Sequence, residues 1–186
     1  EIARNGRDQI LVLPSILKLP DCSLKKMAQN EIPLADFAEM IEKKNAEGIQ
    51  KLFESDLKYK GFSTLMIAAM HTNGTWVLEH FAKLDPSKVD QTSTQELRDL
   101  AKTLSLDVDD DILSDKYFTP LMLAVMFGPP ASVKALLDNG AQPELQTNRG
   151  FTAKMFATCR NDEAIKSYFA RNREFCDAYW GSCTMM

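Results

Sequence analysis

One short phrase is written three times in this chain: GFSTLMIAAMH at residues 61–71, YFTPLMLAVMFG at 117–128 and GFTAKMFATCR at 150–160. A phrase that recurs with drift marks an architectural unit, not a single catalytic motif. Phe62, Phe118 and Phe151 head the three copies. The last two stand 33 residues apart and the first two 56, which is one period plus 23. A second apolar stripe follows each copy: VLEHFAKL from Val77, VKALLDNGA from Val133 and IKSYFA from Ile165. Each unit therefore reads as a short apolar helix, a turn and a second helix.

Charge and cysteine usage narrow the functional classes. A net charge of -4 and a pI near 5.3 argue against nucleic acid as the main partner, because phosphate binding asks for a basic face. No apolar run reaches the ~18 residues that a membrane-spanning helix requires. The opening EIARNGRDQ lacks Met and any signal-peptide pattern, and reads as a trimmed or processed fragment. Cys22, Cys159, Cys176 and Cys183 lie too far apart for a CxxC site, so the expected state is reduced thiols in an intracellular compartment.

On FTPLMLAVMFG, on VKALLDNGAQPELQTNRGFTAKMFA, and on GFSTLMIAAM followed by VLEHFAKL, the chain resembles the ankyrin-repeat family. NAEGIQKLFESD looks like the second helix of an earlier, capping repeat, with Ile49, Leu52 and Phe53 as its apolar face. The resemblance implies an all-α fold: an α-solenoid of about four ankyrin-like repeats with N-terminal capping helices and one inserted helix. Its expected divisions are a helical cap at 1–31, a repeat domain at 32–170 interrupted at about 85–116, and a tail at 171–186. The physics of the phrase agrees. Thr119 can cap a helix that Pro120 opens, since a missing N–H costs nothing at the first helical position. Ala68, Ala69, Ala124 and Ala157 let helices approach closely, Leu65 and Leu121 fill the space between units, and Gly140 can end a helix in the left-handed conformation. Two departures stand out. Met66, Met122 and Met155 occupy the place where the family usually has His, and Lys154 with Ala153 replaces Leu and Pro in the last unit, as suits a terminal cap.

The extra segment carries Ser93 and Glu96 at capping-box spacing, then Leu97, Leu100, Ala101 and Leu104 at helical spacing, which predicts a helix over about 94–105. Asp107, Asp109 and Asp111 alternate as calcium ligands do, but the Gly and Glu required at the sixth and twelfth loop positions are Ile112 and Phe118. The run reads as a solvated acidic loop, and no metal is expected. Upstream, LPSILKLPDCSLKKMAQ is similar to part of an F-box, although capping helices are the favoured role. At the other end CTMM resembles a C-a-a-X signal that would anchor a lipid at Cys183; a plain tail is favoured.

His71 and His80 are the only histidines, glycine-rich phosphate loops are absent, and neither catalysis nor a cofactor is expected. The resemblance instead implies a non-catalytic protein–protein interaction module, working in the cytoplasm within a scaffold or, as a secreted bacterial effector, in a host cytosol. The alternative is a regulatory or substrate-presenting segment of an enzyme whose catalytic domain lies outside this chain. Carried across residue by residue, the family's contact positions fall on Tyr59, Lys60, Phe62, Met70 and His71 in the first copy. In the second they fall on Asp115, Lys116, Phe118, Met126 and Phe127, and in the third on Asn148, Arg149, Phe151, Cys159 and Arg160. Met70, Met126 and Phe127 are expected to face outward as apolar anchors.

Overall fold

The three copies start their helices with the same local chemistry. The hydroxyls of Ser63, Thr119 and Thr152 accept the backbone N–H groups of Met66, Met122 and Met155 at 3.3–3.4 Å, each satisfying a donor that the first helical turn leaves orphaned. In the computed structural model, which describes residues 34–170 apart from 105, 107, 109 and 161, these caps open α3 (Thr64–Met70), α7 (Pro120–Phe127) and α9 (Ala153–Cys159). Their second helices are α4 (Thr75–Leu84), α8 (Pro130–Asp138) and α10 (Glu163–Ala170). Ahead of them α1 (Leu34–Glu42) pairs with α2 (Ala46–Glu54), which buries Ile49, Leu52 and Phe53 as expected. The readings for 1–31 and 171–186, for Cys22, Cys176 and Cys183, and for Asp107 and Asp109 fall outside the described residues.

The helix pairs pack in two layers. In the inner layer α3 packs on α7 and α7 on α9; in the outer layer α2 packs on α4, α4 on α8 and α8 on α10. Small residues make this possible, because Ala68, Ala69, Ala124 and Ala157 are fully buried at the layer contacts. Gly128 shows the limit of that approach: a Cβ there would lie 2.1 Å from the carbonyl oxygen of Ala69. Leu65, Leu121, Met66, Met122, Val77, Val133 and Ile165 complete one continuous core. Helix dominates among the described residues. The one paired strand element joins β1 (Lys58–Tyr59) to β2 (Phe62–Ser63), antiparallel, with Tyr59 opposite Phe62.

The inserted segment is helical, but it begins differently from the expectation. After a short 3₁₀ turn at Pro86–Lys88, α5 spans Leu97–Leu104 and α6 spans Asp110–Leu113. Ser93 is not the cap of α5, and the capping-box reading is corrected. Its side chain is wholly buried, its N–H donates to the Phe118 carbonyl at 2.8 Å, and its hydroxyl accepts the Phe118 N–H at 3.0 Å. A pairing across 25 residues thus captured the group that local spacing assigned to the helix. Leu97, Leu100, Ala101 and Leu104 are all buried, as their spacing predicted.

Candidate protein-interaction surface

Three hairpin-like tips precede α3, α7 and α9, and each is held by a different device. At the first, Lys60 and Gly61 both take positive φ (47° and 81°), the geometry of a tight two-residue turn. At the third, Gln146 bridges Thr152, the Thr147 N–H donates to the Phe151 carbonyl at 2.9 Å, and Gly150 supplies the positive φ of 85°. The second tip turns on a buried carboxylate. Asp115 accepts the N–H groups of Lys116 (2.8 Å) and Arg149 (3.2 Å) and the hydroxyl of Thr147, so one side chain ties the second tip to the third.

Helix α5 occupies the first tip. The Lys60 ammonium donates to the Asp99 carbonyl at 3.3 Å and to the Thr103 hydroxyl at 2.9 Å, and the Thr94 N–H donates to the Gly61 carbonyl at 3.2 Å. At its far end Leu104 lines a small apolar cavity together with Ile67, Met70 and His71 of the α3 end and Leu34, Phe37 and Ala38 of α1. The insertion therefore touches both the first tip and the distal end of α3.

This placement corrects part of the sequence-derived contact set. Phe62, Met70, His71, Asp115 and Phe118 are buried instead of presented to solvent. Phe62 and Phe118 anchor the tips to the core, Asp115 is consumed by its three donors, and Met70 lies beneath Leu104 and α1. The His71 Nδ1 accepts the Asn73 N–H at 3.1 Å; burial holds its pKa below the usual histidine value, partly opposed by the nearby charge of Glu42. Met126, Phe127 and Phe151 are half-buried, the Phe151 ring lying 5.8 Å from that of Phe156. Tyr59 and Lys60 are half-buried at the first tip. Arg160 is not a free contact group either. Its guanidinium donates to the carbonyls of Val125 (2.9 Å) and Gly128 (2.8 Å), closing the end of α7. Lys116 pairs with Glu96 at 3.8 Å and Arg149 with Asp111 at 2.7 Å, both at the surface, while Asn148 and Cys159 are exposed.

Comparison with known proteins adds a family. The model described as "Ankyrin repeat" matches residues 116–148, which run from the second tip through α7 and α8 to the start of the third tip. The chain contains an ankyrin repeat. No curated protein matches it. Among matching solved structures is the predatory endopeptidase Bd0816 of Bdellovibrio bacteriovorus in complex with the immunity protein Bd3460, at 14% identity and a TM-score of 0.29, covering 76% of this chain and 98% of that one.

Within and beside that ankyrin repeat, one surface residue escaped the sequence reading. Tyr117 is 48% exposed and holds φ at 67°, at the register position that Gly61 and Gly150 fill in the other two tips. A bulky L-residue in the left-handed region is strained by about 1–2 kcal/mol. The surrounding structure over-determines that conformation, with Asp115 fixing the chain on one side and Ser93 clamping Phe118 on the other. Aligning the three tips would have found it, because only the middle one has an aromatic where its sisters have Gly. Among the described residues no cluster of His, Cys, Asp and Glu could hold a metal, and no helix is long and apolar enough to cross a membrane.

Proposed function

We propose that this chain is a non-catalytic protein-interaction module, its four helix pairs forming one solenoid of ankyrin-like repeats. It engages its partner through the tips and inner face of the α7–α10 half, acting in the cytoplasm as part of a larger scaffold. The observation that carries this reading is the contrast along one register. Met70 is buried, Met126 is half-buried and Cys159 is exposed, so the distal end of the inner layer grows more exposed from α3 to α9. At the tips stand Tyr117, strained and exposed, and the half-buried Phe151. Strained residues kept at a surface, and aromatic groups presented to solvent, are features of binding sites.

A photo-crosslinking amino acid placed at position 117, 126 or 159 tests it, against controls at Glu79 and Lys83 on the outer helix α4. The reading expects one common set of captured proteins from the three inner positions and not from the controls. Capture that is equal from both faces, or absent from the inner one, contradicts it.

A further inference from the structure

His71 ends α3 where three separate parts of the chain meet. The residue lines a small apolar cavity with Ile67 and Met70 of α3, Leu34, Phe37 and Ala38 of α1, and Leu104 at the end of α5. Only 6% of it reaches solvent. The same residue holds the turn into α4. The Asn73 N–H donates to its Nδ1 at 3.1 Å, and the Gly74 N–H donates to its carbonyl at 3.0 Å. With Nδ1 acting as an acceptor, the neutral ring carries its proton on Nε2. A second proton can go only to Nδ1, where it meets the Asn73 N–H and turns the acceptor into a donor. The imidazolium then loses that hydrogen bond and leaves its charge against apolar walls.

The charges nearby do not accommodate it. Glu42 of α1 favours the charged ring, and burial outweighs it. Asp36, Glu39 and Lys43 of α1, Asp99 and Lys102 of α5, and Glu79, His80 and Lys83 of α4 are all exposed, and Arg98 pairs with Asp110 at 3.7 Å. Helix α7, packed on α3, carries no titratable group.

We propose that this junction is an acid-operated latch: protonation of His71 drives its ring from the cavity and releases α1 and the end of α5 from α3, while the rest of the stack stays folded. The break is local because no residue lining the cavity comes from α4, α7 or the later helices. Its driving force is the higher proton affinity of the released ring, which titrates near 6.5. The open fraction therefore stays at its floor above that pH. Below it the fraction grows by at most about tenfold per pH unit, until pH passes the depressed value of the buried ring.

Hydrogen exchange of the whole chain, read by mass spectrometry as protection factors at pH 7.5 and 5.5, tests the latch. Protection across 34–42 and 97–104 should fall by at least about threefold at the lower pH, with that of α8 unchanged. His71→Phe, which fills the cavity with a ring that does not titrate, should abolish the fall. His71→Gln keeps an acceptor for the Asn73 N–H and takes its place should the Phe variant fail to fold, which circular dichroism reports. His80→Gln, on the exposed side of α4, should leave the fall intact. An equal fall in α8 would make His71 a contributor to overall stability alone. That result, a fall that survives replacement of His71, or no fall at all overturns the proposal.

Discussion

Met70 and Met126 are the same residue in the same phrase, on helices that pack against each other, yet their surroundings differ. Met70 is 3% exposed beneath α1 and Leu104, whereas Met126 is half-buried and its next counterpart, Cys159, is exposed. The methionines one turn earlier tell a parallel story. Met66 and Met122 are wholly buried between helix pairs, while Met155, on the last described pair, is 47% exposed. A repeated phrase therefore fixes the helix and its cap but not whether a given side chain meets solvent. That depends on the neighbours, which at Met70 are α1 and Leu104 of the insertion. In the α1–α4 half the end of α3 is covered; in the α7–α10 half the corresponding ends are half-buried at Met126 and exposed at Cys159.

The largest effect expected from this contrast is at the tip that joins the two halves. Asp115→Ala leaves three donors without an acceptor in a buried site, and at ~1–3 kcal/mol for an unsatisfied buried group the loss should reach about 3 kcal/mol or more in urea unfolding. Asp111→Ala, which removes a surface partner of Arg149, should lose less than about 1 kcal/mol. Similar losses for the two would mean that the second tip is not tied as described. Next come the paired methionines. Met70→Ala should lose about 2–4 kcal/mol as a core truncation, and Met126→Ala about 1 kcal/mol. Equal losses would erase the difference between the halves. Smaller and opposite in sign, Tyr117→Gly should raise stability by about 1 kcal/mol through relief of the left-handed strain while weakening partner binding. A loss of stability there would show that the ring packs rather than waits.

Smallest is the pH effect at His71. Its folded pKa is depressed by burial, so its contribution to stability is complete above the unfolded value near 6.5. That contribution falls away as pH drops from there toward the lower folded value, because the unfolded chain takes up the proton first. Melting curves between pH 8 and 5 should show this loss, and His71→Asn should flatten it.

How much of this could be read in advance follows from which forces are local. Caps, helix-opening prolines, apolar stripes and the left-handed Gly140 (φ 86°) depend on residues within one turn of each other, and Thr119, Pro120, Val133 and Ile49 behave as read. The stripe Leu97, Leu100, Ala101 and Leu104 announced that α5 would bury one face, but not where. Its seat depends on Lys60 and Leu34, far away in the chain, and spacing carries no record of such contacts. Hence the resemblance assigns Met70 and His71 to the surface, where the fold buries them. Ser93 was misread for the same reason, a partner in Phe118 outbidding the local cap. Tyr117 was legible in principle, through the glycines at its sister positions.

The claim that Leu104 and α1 cover the end of α3, while the ends of α7 and α9 meet solvent, can be tested with the chain's own methionines. Pulsed hydroxyl-radical footprinting with peptide mass spectrometry reads thioether oxidation site by site, and oxidation follows exposure. Among these five the account predicts that Met155 oxidises fastest, Met126 at an intermediate rate, and Met70, Met66 and Met122 slowest. Leu104→Asp, which unseats the end of α5, should accelerate Met70 selectively and leave Met126 unchanged. Met70 reacting as fast as Met126 in the unmodified chain, or failing to respond when Leu104 is changed, would contradict it.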